Sequence, residues 1–120
     1  MSSRGNGARN KGANAEREVA ELIKKHGLEA RRGFVFCRES DVVGLDGFHI
    51  EVKRQESYRL DEWMEQSIKD AAKRDEGIPV VVFRKSRKPW RVLIDFEQFL
   101  ELVKEVKDGQ KQFHSNERPT

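Results

Sequence analysis

At 120 residues the chain has room for one layered domain and none for a second catalytic or recognition module. Its 38% charged and 36% hydrophobic residues predict a modest core under an ionic surface. No run approaches the roughly 18 apolar residues of a membrane span, and residues 1–5 lack the apolar stretch of a secretory signal, so the expected compartment is the cytoplasm, with no membrane partner.

Residues 1–12, rich in Gly, Asn, Ser and Arg, read as a flexible basic arm, residues 13–107 as the folded domain and residues 108–120 as a disordered polar tail. Asn14 is placed to cap a helix running to about residue 26, with Val19, Leu22 and Ile23 on one stripe and Gly27 as its stop. Glu16 sits at the border of that stripe and can face inward. An extended stretch over 28–37 leads to two strands, 41–45 and 48–54, joined by the turn Asp46-Gly47. A second helix is expected over 61–75, with Met64, Ile68, Ala71 and Ala72 inward and Gly77 as its stop. Residues 78–83 are an unbroken apolar run around Pro79, the mark of a central strand covered on both faces, and 90–94 pairs beside it. Asp95 and Gln98 then form a capping box for a third helix whose stripe is Phe96, Phe99, Leu100, Val103 and Val106. The αβββαββα order predicts an α/β domain with a central mixed five-stranded sheet flanked by helices.

Cys37 is the only cysteine, which excludes an intrachain disulfide and a cysteine-based zinc site; its expected place is a packed thiol. The net charge of +3 is small, but it is unevenly spread: residues 84–91 hold five cations and no acid, and the basic residues of 1–15 meet none either. Such a pattern suits a polyanion such as DNA, although a solvated turn and a frayed tail would produce it as well.

Side-chain alternation over 48–54 sends His49, Glu51 and Lys53 to one face and Ile50 and Val52 to the other. Antiparallel pairing about Asp46-Gly47 brings Asp41 toward the Lys53 end of this strand, so an acid from each strand converges with a lysine. Two carboxylates with a free position between them are ligands for a hard cation such as Mg²⁺, with Mn²⁺ as a substitute, and the Val52 carbonyl is a further ligand of the same kind. Lys53 is placed to orient or deprotonate an attacking water. An acid and a lysine two apart on a strand also make ordinary salt bridges, and only the combination with Asp41 lifts the pattern above that.

Ser40-Asp41 followed by Ile50-Glu51-Val52-Lys53 resembles the acid, gap, acid-x-lysine motif of the PD-(D/E)XK nuclease superfamily, with Ser40 in place of the usual proline. Lys11-Gly12-Ala13-Asn14-Ala15-Glu16-Arg17-Glu18 is similar to the opening of archaeal-type Holliday junction resolvases within it, and the likeness covers roughly residues 11–102. The resemblance implies a restriction-endonuclease-like fold, a Mg²⁺-dependent endonuclease acting on branched DNA, and a homodimer. It also implies that Glu16 is an additional metal-site acid, Lys11 and Arg17 DNA contacts, and Gln66 a polar residue near the site. Arg31, Arg32 and Arg38 flank the motif and Lys85, Arg87 and Lys88 lie in the basic turn, all suited to phosphate contacts. The alternatives are a repair, nicking or restriction-like nuclease of another DNA structure, and an inactive DNA-binding module.

Overall fold

A computed structural model describes the backbone of residues 3–117 and the side chains of residues 11–110. The ends of the expected arm and tail, residues 1–2 and 118–120, lie outside the described residues. The elements are α1 (Ser3–Lys25), β1 (Arg31–Arg32), a 3-10 turn (Val35–Cys37), β2 (Val42–Val43), β3 (Phe48–Arg54), α2 (Leu60–Arg74), β4 (Ile78–Arg84), β5 (Arg91–Leu93) and α3 (Phe96–Glu117). They form one five-stranded sheet in the order β1-β2-β3-β4-β5. All neighbours are antiparallel except β3 and β4, which run parallel along their whole length, from Phe48 beside Ile78 to Arg54 beside Arg84. Parallel neighbours need a crossover, and α2 supplies it. The mixed sheet with three helices is the α/β fold that the patterning predicts.

Three stretches differ from expectation. The first helix does not begin at Asn14 but runs back through the segment read as an arm, to Ser3. The third helix likewise continues to Glu117 through the segment read as a disordered tail. Lys104, Glu105, Lys107, Gln110, Lys111 and Gln112 are all good helix formers, so polarity alone does not exclude a helix there. The extended stretch over 28–37 pairs only at Arg31 and Arg32 and then winds into the 3-10 turn. Gly33 permits this, since a Cβ there would collide with the Ser40 carbonyl, and its N–H donates to the Asp41 carbonyl at 2.9 Å. Glu39 closes the loop by accepting from the Phe34 N–H at 2.8 Å and from both guanidinium nitrogens of Arg31. Cys37 in this turn is exposed, not packed.

The sheet separates two kinds of packing. On one face Ile50 and Val52 of β3 join Val42, Ala15, Val19 and Ala20 in the main apolar cluster under α1. On the other, Val81 and Phe83 of β4 pack with Trp63 of α2, and Tyr58 stands edge-on to both aromatic rings. The glutamate Glu18 ties α1 to the far edge, accepting from Trp90 Nε1 at 2.9 Å and pairing with Arg84 at 2.9 Å. α3 covers the sheet only in part: a cleft of about 450 Å³ remains between it, α1 and β3 to β5, lined by residues including Val19, Ile23, Val80, Val82, Phe99 and Leu102. Phe96, Phe99, Leu100 and Val106 are exposed along α3.

Candidate functional site

The acids meet where β2 stops. The turn about Asp46-Gly47 forms as expected, with the Phe48 N–H donating to the Leu45 carbonyl at 3.2 Å. The strand before it, however, carries one residue more than its partner between that turn and the Val42 and Ile50 pair, a bulge at which Gly44 takes a φ of 121°. The register therefore shifts by one, and Asp41 lies one residue past the Val42 and Ile50 pair, at the level of Glu51 and Val52. Past Ile50 the edge of β3 has no β2 backbone to pair with, yet a buried N–H requires an acceptor. Asp41 Oδ2 supplies it, accepting from the Val52 N–H at 2.8 Å. Because a strand residue sends its N–H and C=O to the same edge, the Val52 carbonyl faces the Asp41 side too.

Burial, then the neighbouring Glu51 charge, push the Asp41 carboxyl up to about 7, against the Val52 hydrogen bond, and Glu16 adds to the rise. Burial pushes Glu51 upward as well, but the hydrogen bond from His49 and the one from Asp41 outweigh it and hold Glu51 below the usual carboxylate range. Burial and the neighbouring charge thus favour a proton on Asp41, whose carboxyl is pushed up, over Glu51, whose carboxyl is pushed down. Such a proton is what a cation displaces when it binds a buried carboxylate pair.

Glu51 is only 9% exposed and His49 is fully buried beside it. His49 Nε2 lies 2.9 Å from Glu51 Oε1 and Nδ1 lies 3.1 Å from Glu76 Oε1. Burial alone would lower the imidazole pKa, but the two carboxylates overcome it and raise it. Ser40 Oγ lies 3.3 Å from Glu76 Oε2 and 3.2 Å from the Val42 carbonyl.

Glu16 does face inward from α1, where Arg32 Nε donates to it at 3.0 Å. The charge of Lys53 favours ionised Glu51, and Lys53 shares a cleft of about 340 Å³ with Gln55, Arg59, Glu62 and Gln66. Gln66 donates to Asp70 at 3.2 Å, and ligand atoms of His49, Glu51 and Asp70 all lie within 4.8 Å of one another. Asp41, Glu51, Lys53, Glu16 and the Val52 backbone are therefore brought to one place, with Gln66 at its border.

The remaining predicted cations are more dispersed. Arg31 is held in its ion pair with Glu39 and stacks over Phe34, and Arg17 donates to Asn14 at 2.9 Å. Arg38, with a φ of 57°, is exposed at the end of the 3-10 turn. The basic turn is pinned to the loop after β3: the Ser86 N–H donates to Glu56 at 3.0 Å and the Lys85 ammonium stands 4.7 Å from the Tyr58 ring centroid. Arg87, with a φ of 62°, and Lys88 project from it, and the charge of Lys11 on α1 is felt at Glu56, so Lys11 approaches the same loop. Asp70 and Glu76 are the acids that sequence reasoning missed. Asp70 had a signal, lying one helical turn beyond Gln66; Glu76, just past the end of α2, had none.

The family described as "Phage putative PDDEXK endonuclease" matches residues 7–118. Among solved structures the chain is similar to Hjc of Archaeoglobus fulgidus, a Holliday junction resolvase from an archaeal hyperthermophile, at 27% identity and a TM-score of 0.53 over 70% of this chain and 72% of that one. No curated protein matches.

Proposed function

Because the chain belongs to the phage PDDEXK endonuclease family, we propose that it is a divalent-metal-dependent deoxyribonuclease selective for branched DNA, acting as a Holliday junction resolvase. The buried carboxylate pair Asp41 and Glu51 carries the reading, because two acids brought together beside the Val52 backbone suit a hard cation. Asp41, Glu51 and the Val52 carbonyl would hold Mg²⁺, or Mn²⁺ in its place, with Glu16 as a supporting acid. Bound by these residues, such an ion would supply a lowered pKa for its water and compensation for charge on the cleaved phosphodiester. Lys53, beside Glu51, would orient the attacking water, and Gln66 lines the approach. The structural likeness to the archaeal Hjc supports a junction as substrate.

DNA would be held by phosphate contacts from Lys11, Arg17, Arg31, Arg32, Arg38, Lys85, Arg87 and Lys88, which position a duplex without reading its sequence. In the present ion pairs Arg31 and Arg32 are committed to Glu39 and Glu16, so these two contribute by exchanging partners, while the turn residues are open. Symmetric cutting of a four-way junction requires two sites, and a chain with one site meets that need as a homodimer. The exposed apolar residues of α3 support association with a second copy. The catalytic unit is residues 13–107, with the ends of α1 and α3 extending beyond it, and its place of action is the cytoplasm.

Labelled four-way junction, flap and linear duplex, each with and without Mg²⁺, test the proposal against Glu51→Ala. Paired nicks in the junction that need Mg²⁺ and vanish in the variant are expected. Cutting of flaps or linear DNA instead would reassign the enzyme to the repair or restriction-like alternative. Binding without cutting by either protein would leave an inactive DNA-binding module.

A further inference from the structure

We propose that His49 is a positioning residue that fixes Glu51 for cation binding and is itself fixed by Glu76. The proposal rests on reading Asp41 and Glu51 as the cation site and adds a supporting layer to it. His49 stands on the same face of β3 as Glu51, beside Pro79 of β4, while Glu51 stands beside Val81 of the apolar cluster under α2. Packing alone would favour a hydrocarbon there, because a fully buried imidazole costs desolvation that a leucine or valine would not. The polar group is retained together with two precise partners, Glu51 Oε1 at 2.9 Å and Glu76 Oε1 at 3.1 Å.

Its anchor is rigid. Glu76 follows Asp75, which ends α2 in the left-handed conformation at φ 51°, and the Glu76 N–H donates to the Ala71 carbonyl at 3.1 Å. Gly77 then packs against Gly47 where a Cβ would collide with the carbonyl, and the Ile78 N–H donates to that carbonyl at 2.9 Å. A line of contacts thus runs from the end of α2 through Glu76 and His49 to Glu51. Holding one oxygen of Glu51 removes torsional freedom that a flexible glutamate would otherwise lose on binding a cation. Although His49, Glu51 and Asp70 cluster closely enough to share an ion, both ring nitrogens already face carboxylates, so His49 acts through Glu51 and not as a ligand.

Substitutions at His49 separate this role from packing. His49→Gln sets an amide nitrogen near the place of Nε2 and keeps the bond to Glu51; His49→Asn imitates Nδ1 and keeps only the bond to Glu76; His49→Leu fills the space and keeps neither. Mn²⁺ titrated calorimetrically into the metal-stripped full chain, without DNA, should bind about 10-fold more weakly to the Asn and Leu variants and within about 3-fold of native to the Gln variant. Glu76→Ala, at a partly exposed position that folding tolerates better, should weaken Mn²⁺ binding by about 3-fold or more and carries the test if the His49 variants do not fold. Binding of a labelled junction in EDTA should be unchanged throughout. Native affinity in Asn, Leu and Glu76→Ala proteins alike, or Leu equal to Gln, would overturn the positioning role. Failure of the native protein itself to bind Mn²⁺ would overturn the cation site, and this proposal with it.

Discussion

The two faces of β3 show how one strand serves structure and chemistry at once. Toward α1 it offers Ile50 and Val52 to an apolar cluster with Ala15, Val19, Ala20 and Val42. Toward α2 it offers His49, Glu51 and Lys53, two of them buried, beside Val81, Phe83 and Trp63. Burial on the first face is favourable in proportion to its area, whereas on the second it forces carboxylates together and requires compensating hydrogen bonds. The α1 face should therefore hold the fold, and the α2 face should hold the chemistry at a cost in stability.

The sharpest way to break that division is a deletion on the apolar face. Ile50→Ala should destabilise the protein by about 2–5 kcal/mol in urea melts, while Mn²⁺ affinity, measured where the variant is still folded, stays within about 2-fold of native. A large loss of affinity at full folding would show that the faces are not separable.

Titration probes the other face. The native Asp41 carboxyl is raised to about 7 from an ordinary value of 3.8, so between these values the folded state binds more protons than the unfolded. Its contribution is present in full below about pH 4 and lost as pH rises through about 7. Without metal, urea melts at pH 5 to 8 should show stability falling by up to a few kcal/mol, and Asp41→Asn should flatten the fall. The lowered Glu51 carboxyl acts in the opposite sense but only below its ordinary value of 4.5, where its stability is lost on acidification, and so leaves the slope between pH 5 and 8 to Asp41. Mn²⁺ affinity should move the other way, rising by about 10-fold per unit up to about pH 7, because binding expels the proton.

Smaller effects belong to the periphery. Neutralising Lys85, Arg87 and Lys88 together should lower junction affinity and shallow its salt dependence by about 0.9 in log-log slope for each phosphate no longer neutralised, with Mn²⁺ binding unchanged. Glu18→Gln, which weakens the half-exposed link to Arg84 and Trp90 at the far edge, should cost about 1 kcal/mol of stability, discounted for solvent screening, and leave cation binding intact.

Much of this division was legible in the sequence. Alternation over 48–54 assigned both faces of β3 because a period of two leaves no freedom once one face is apolar. The apolar run at 78–83 announced β4, and Glu16 was read as inward from its place on the helical stripe. The bulge was missed although Gly44, a glycine inside the expected strand, is the usual mark of one, and it sets Asp41 at the level of Glu51. Glu76 was not legible: it reaches His49 only because Asp75 adopts a left-handed turn at the end of α2. The ends of α1 and α3 were misread because a polar, charged sequence is compatible with both a disordered segment and a helix.

The central claim is that the Asp41 and Glu51 pair makes the α2 face a metal-dependent catalyst, and Glu51→Gln tests it most directly, since it keeps the shape and removes the charge. Cleavage of branched DNA should be measured against Mg²⁺ concentration for both proteins, with urea melts in EDTA alongside. The account predicts that the variant loses about 10³-fold or more in rate at every Mg²⁺ concentration while it still unfolds in one cooperative transition. Equal rates in the two proteins, or native cleavage that persists in EDTA, would contradict it.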